Sequence, residues 1–154
     1  MPERKTIILG IGNLLFSDEG IGIHVIEALK KHSLPENVEL VDGSVLGFDL
    51  LPLLEDCGRL IVIDAIAADA PPGTVYSFDA AEVMEQMKTK TIPVSAHDFD
   101  FFQVLALMRQ LKKMPPARII AVVPQAMSPG TELSPLLKKK MPQIIQTIST
   151  YAVE

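Results

Sequence analysis

Cysteine is almost missing from this chain. The single Cys57 excludes an internal disulfide framework and any zinc or iron–sulfur site built from several cysteines. Positive charge is also scarce: 14 lysines and arginines against 19 aspartates and glutamates leave a formal net charge of −5, without the basic face that nucleic-acid binding requires. No apolar run approaches the roughly eighteen residues of a membrane span. The apolar stretch from Ile7 to Phe16 is interrupted by Gly10, Gly12 and Asn13. Asp18-Glu19 follows where a signal peptide would carry a small-residue cleavage site. Repeats, low-complexity tracts and linkers are absent as well. A hydrophobic share of 48% against 21% charged is too apolar for a disordered chain. The 154 residues suit one domain, over 1–154, which can bury about 70% of its extended-chain surface. The expectation is a soluble cytoplasmic protein.

Apolar runs alternate with helical patterns. Thr6–Leu9 reads as a buried strand running into Gly10 and Gly12. A helix follows with Ile21, Val25, Ile26 and Leu29 on one face, ending at Lys30, Lys31 and His32. Val38–Val41 reads as a strand, Phe48–Leu54 as a short helix and Leu60–Ile63 as a buried strand stopping at Asp64. The Pro71-Pro72-Gly73 turn precedes a strand over Thr74–Phe78, with a helix from Asp79 or Ala80 to about Lys88. Asp98–Lys112 is expected to be helical, with Phe101, Val104, Leu105, Met108 and Leu111 on one stripe. Arg118–Val123 is another buried strand. Ser134-Pro135 signals an N-cap and first helical residue, and Pro142 is expected to kink or divide the helix that follows. This alternation predicts an α/β sandwich on a mostly parallel sheet, with the short turn before Thr74 pointing to one antiparallel or edge strand. Ligands of such sheets bind beyond the carboxyl ends of the strands.

At that edge the sequence places Gly10, Gly12, Gly20 and Gly22 around Asp18-Glu19. The third glycine of a dinucleotide fingerprint would fall on Leu15, and no phosphate-binding loop motif occurs. The glycines suit a backbone that approaches something closely. Both acids suit a helix mouth, and a lone Asp18 reads equally as the helix N-cap. Asp42-Gly43-Ser44 ends the second strand, where Asp42 also fits an Asx-turn. Asp64 ends a central apolar strand, where an uncompensated carboxylate would be costly. His97, in Ser95-Ala96-His97-Asp98, comes at a helix start and can face the same edge. Glu19, Asp64 and His97 together suit a borderline divalent metal such as zinc or nickel, with positions left for water or substrate. His24 and His32 read as structural and Cys57 as a small core residue. Lys138-Lys139-Lys140 reads as a solvated helix face, and the helical methionines as core. Ser44 stands one place too early for a nucleophile elbow.

The segments GIGNLLFSDEGIG at 10–22, VDGSVLG at 41–47, LIVIDA at 60–65, SAHDFDFFQVLAL at 95–107 and PGTELSP at 129–135 resemble the hydrogenase maturation endopeptidases. That family processes the large subunits of nickel–iron hydrogenases, and the likeness runs from about residue 6 to 150. It implies a five-stranded α/β/α sandwich and a protease that trims a C-terminal extension from the large-subunit precursor after nickel insertion. By the same resemblance the metal-contacting acid falls on Glu19, the strand-three aspartate on Asp64 and the histidine on His97. Asp42 matches an aspartate implied in activity, with Gly43 and Gly47 the substrate-loop glycines. Ser44 and Val45 replace the family's Gly and Thr in that loop. The implied nickel is carried by the precursor, and a resident zinc is the competing version. A non-catalytic nickel-sensing assembly factor or chaperone on the same fold, and a small-molecule hydrolase, are the alternatives.

Overall fold

A computed structural model describes residues 4–44, 47–89 and 102–152. Five strands are present: β1 (Thr6–Ile11), β2 (Val38–Ser44), β3 (Arg59–Ala65), β4 (Val75–Asp79) and β5 (Ala117–Val122). The helices are α1 (Ile21–Leu29), α2 (Leu51–Leu54), α3 (Ala80–Thr89), α4 (Phe102–Gln110) and α5 (Pro135–Ala152). The 3-10 turns Ser17–Gly20 and Gly47–Leu50 lead into α1 and α2.

The sheet order is β2-β1-β3-β5-β4, parallel except for β4, which pairs antiparallel with β5 at the edge. The expected antiparallel edge strand is therefore β4. Right-handed crossovers explain the layers. The chain steps from β1 to β2 in one direction and then back across β1 to β3, so α1 and α2 lie on opposite faces. One face buries Ile8, Ile61, Ile63, Ile120 and Val122 against α1 and α5. The other buries Leu9, Leu60, Val62, Ile119 and Ala121 against α2, α3 and α4. Each such side chain contributes about 1.5–3 kcal/mol by leaving water.

The strands run further than their apolar runs. β1 continues through Gly10 to Ile11, β2 to Ser44, and β3 passes through Asp64 to Ala65. Parallel pairing is a backbone property, so it carries on through residues whose side chains send no strand signal. α4 closes at Gln110, leaving Leu111 half exposed rather than on the buried stripe. Lys112 takes the left-handed conformation (φ 59°), and the Lys113 N–H bonds back to the Met108 carbonyl, ending the helix without a glycine. α5 is one element through Pro142, so the expected division does not occur. Pro142 is solvent-facing, and its missing N–H would have met Lys138, whose carbonyl lies on the exposed face. Ser134 caps α5 as expected, its hydroxyl oxygen accepting the Leu137 N–H at 3.4 Å. Among the described residues no helix is long and apolar enough to cross a membrane.

Candidate functional site

The chain leaves β1 in one direction along the sheet and β3 in the other, so a crevice opens between the carboxyl ends of these neighbours. Asp64 stands at that end of β3, with 1% of its surface exposed. Its Oδ1 accepts the Ala65 N–H at 2.8 Å. In register it pairs with Ala121 of β5, and it follows Ile63, which pairs with Gly10 of β1. By alternation it falls on the α2–α4 face, with Leu60 and Val62.

Glu19 belongs to the turn Ser17–Gly20, which packs against β3 and α1 at the same end of the sheet. It is half-buried. Its backbone lies hard against Gly12, where a Cβ would come 2.0 Å from the Glu19 carbonyl oxygen and where φ is +135°. The glycines do bring backbones close, and what they admit is this chain itself. A Cβ at Gly22 would meet the Ile11 and Ile63 carbonyl oxygens at 2.4 Å each, and one at Gly10 would meet the Gly22 oxygen at 2.3 Å. They let α1 settle onto β1 and β3, and so carry Glu19 to the strand ends.

Asp18 has no part in capping α1, whose N-cap is Gly20 without a side-chain bond. It is fully buried and serves a different helix. Its Oδ1 accepts the Ser134 N–H at 2.7 Å. Its Oδ2 accepts the Ser134 hydroxyl at 2.7 Å and the Gln125 and Ala126 N–H groups at 2.9 Å each. The carboxylate therefore sits at the N-terminus of α5 and holds the loop after β5. Burial pushes its pKa up, but the bonds from Ser134, Ala126 and Gln125 outweigh that and hold it below the ordinary value. Ser17 adds to the tie through its hydroxyl to the Ser128 carbonyl (2.7 Å) and its N–H to the Gly130 carbonyl (2.8 Å), in a left-handed conformation (φ 53°). Sequence reasoning found the Ser134 cap but not its partner, 116 residues away.

Asp42 lies across β1 from β3, two strand spacings or about 10 Å away. It is exposed, and its Oδ1 accepts the Ser44 N–H at 3.0 Å and the Ser44 hydroxyl at 2.6 Å, so the Asx-turn is present. Its neighbour Leu40 packs on the α1 face, which places Asp42 in register with the face opposite Asp64. The strand pairing does not bring these two aspartates together. Gly43 is buried, and a Cβ there would meet the side-chain tips of Ile11 and Leu9 at 2.8 Å, which gives this glycine a packing reason. Gly47 opens the second 3-10 turn. His97 lies outside the described residues.

Among the described residues no three His, Cys, Asp or Glu side chains are grouped to hold a metal ion. Glu19 and Asp64 stand at the same end of the sheet, and carboxylate oxygens are donors suited to completing the shell of a divalent ion that arrives with other ligands. The remaining titratable groups read as structural. Burial holds the pKa of His24 below the usual value, outweighing the donation of a ring N–H to the Thr131 backbone carbonyl, which raises it. His32 is exposed with its Nδ1 3.1 Å from the Ala28 carbonyl. Cys57 is buried and its thiol pKa is raised by that burial. Met84 and Met108 are core, and Lys138 is solvated beside Glu132 at 3.7 Å.

Comparison with known proteins adds to this geometry. A family model described as hydrogenase maturation protease matches residues 23–151, a stretch that includes Asp42, Asp64 and His97. The hydrogenase expression/formation protein HupD of Thiocapsa roseopersicina is 34% identical over 155 residues, covering 99% of this chain and 69% of that protein. The hydrogenase 2 maturation protease of Escherichia coli is 29% identical over 157 residues, covering 97% and 94%. The solved structure of the hydrogenase maturating endopeptidase HybD from E. coli superposes with a TM-score of 0.82 at 28% identity, covering 96% of this chain and 91% of that one.

Proposed function

Since this chain belongs to the hydrogenase maturation protease family, we propose that it is the endopeptidase that removes a C-terminal extension from the precursor of a nickel–iron hydrogenase large subunit once nickel has been inserted. The observation that carries this reading is Asp64, a carboxylate kept 99% out of solvent at the crevice beside the turn bearing Glu19. A buried carboxylate at a strand end, its Oδ1 fixed by the Ala65 N–H, suits contact with a metal ion brought by the substrate. Glu19, Asp64 and His97 are the residues assigned to that contact, and the nickel belongs to the substrate. These groups would probe whether the precursor's metal is in place and hold the scissile peptide beside the site. A carboxylate then serves as the base that takes a proton from the attacking water. Asp42, exposed at the neighbouring strand end, is assigned to the peptide rather than to the metal. The protein is expected to act in the cytoplasm.

The test is the intact mass of a large-subunit precursor incubated with this protein, with and without nickel loading. Loss of a short C-terminal peptide from the nickel-loaded form alone is the expected result. Cleavage regardless of nickel keeps the peptidase and removes the sensing, favouring a resident metal such as zinc. An unchanged mass in a nickel-loaded precursor that binds this protein overturns the reading and favours the assembly factor. Asp64→Asn is expected to slow cleavage by about 100-fold or more.

A further inference from the structure

Resting on the endopeptidase reading, we infer that Asp18 is the positioning residue of this site, setting Glu19 against Asp64 through the chain that follows β5. The argument is one of connectivity. Asp64 is referenced to β5 by its register with Ala121. Four residues later the same chain reaches Gln125 and Ala126, whose N–H groups both bond to the Asp18 carboxylate. Asp18 returns the tie through its own N–H to the Ala126 carbonyl at 3.0 Å. Glu19 is the next residue. A ring is thus closed at the carboxyl edge from Asp64 through β5 to Asp18 and Glu19, and α5 joins it at Ser134.

Without this ring the turn Ser17–Gly20 would be referenced to the sheet by its glycine contacts with β1 and β3 and by the bonds of Ser17. With it, the strand that aligns Asp64 also aligns Glu19. Adjacent residues of a 3-10 turn are rotated by about a third of a turn, so Asp18 and Glu19 project in different directions. Asp18 can therefore be wholly consumed by the frame while Glu19 stays half open. Its four donors and its complete burial close it to a ligand, which separates its role from that of the residues touching substrate.

Single-turnover cleavage of the nickel-loaded precursor tests this in wild type, Asp18→Asn, Ser134→Ala and Ile148→Val. An asparagine at 18 removes the charge and has one acceptor oxygen, so its NH2 group is set either against the Ser134 N–H or against the Gln125 and Ala126 N–H groups, and the ring is weakened while the volume is conserved. Asp18→Asn is expected to lower the cleavage rate at saturating precursor about tenfold or more with half-saturation within about twofold, since misplaced reacting groups cost rate and leave docking intact. Ile148→Val, in the α5 core away from the site, provides comparison for lost stability alone and is expected to cleave at the wild-type rate. A wild-type rate in folded Asp18→Asn overturns the inference, as does an equal loss in Ile148→Val. Should Asp18→Asn not fold, Ser134→Ala decides. Removing one donor is expected to slow cleavage about threefold at unchanged half-saturation, and an unchanged rate overturns the proposal. Wild type that fails to cut at all overturns the endopeptidase reading first, and this inference with it.

Discussion

The turn after β1 and the end of β2 stand side by side at the carboxyl edge, and each carries an aspartate with a glycine close by, yet these aspartates are held in opposite ways. Asp18 is fully buried and bonded to residues 107 to 116 positions away. Asp42 is exposed and bonded to Ser44, two positions away. The glycines differ in the same sense. Gly22 faces the backbone oxygens of Ile11 and Ile63, whereas Gly43 faces the mobile tips of Leu9, Ile11 and Leu50. The first turn is thus part of the frame of the molecule. The second is held by its pairing with β1 and by its own Asx-turn, and its carboxylate is exposed. The proposed function assigns the chemistry at the first turn to Glu19, because Asp18 is spent on the fold.

The largest break in this comparison is expected from its glycines. Gly22→Ala sets a Cβ within 2.4–2.6 Å of three backbone atoms that cannot retreat without parting α1 from the sheet. It should cost about 3 kcal/mol or more and yield little folded protein. Gly43→Ala should cost about 1–2 kcal/mol, since side-chain tips can move aside. Equal melting temperatures for the two variants would refute the distinction between the two glycines.

Next in size is Asp18→Ala, which leaves buried N–H and hydroxyl groups of Gln125, Ala126 and Ser134 without their acceptor and should cost about 3 kcal/mol. This contribution depends on pH in a defined direction. The carboxyl pKa is lowered in the folded state from its ordinary 3.8, so the unfolded chain takes up the proton first. The stabilisation is complete above the ordinary value and is lost as the pH falls through the lowered one. Melting temperatures followed down in pH should therefore drop more steeply below about pH 4 in wild type than in Asp18→Asn. Parallel curves would mean that the charge of Asp18 contributes nothing.

The smallest effect on stability is expected at Asp42. Asp42→Asn keeps an oxygen for the Ser44 N–H and should change stability by less than about 0.5 kcal/mol. If the carboxylate acts on the peptide, cleavage of the precursor falls all the same. A variant that loses stability as Asp18→Ala does would erase the contrast between the two aspartates.

Much of the architecture was legible in the residues because its signals are local. The runs Thr6–Leu9, Leu60–Ile63 and Arg118–Val123 are continuous and apolar, as strands covered on both faces must be. The Pro71-Pro72-Gly73 turn is too short for a crossover, and β4 is indeed the antiparallel strand. The Ser134 cap was legible for the same reason. Leu111 was misread because the apolar stripe continues one residue past the point where Lys112 turns left-handed, and periodicity carries no information about that turn. Glu19 and Asp64 were read together because topology brings the ends of β1 and β3 side by side. Asp18 was read as a cap for the helix beside it in sequence, because a long-range donor is not written in nearby residues, whereas the Asx-turn of Asp42 was legible because Ser44 is two positions away.

The sequence by itself determined the strands, the helices, their alternation and hence the edge at which chemistry is placed, since hydrophobic period and turn residues act over a few positions. Only the tertiary structure decided that Asp18, among the carboxylates of that edge, belongs to the frame. That decision rests on donors brought in by residues 125, 126 and 134, and a buried charge takes its role from whichever groups the fold packs around it.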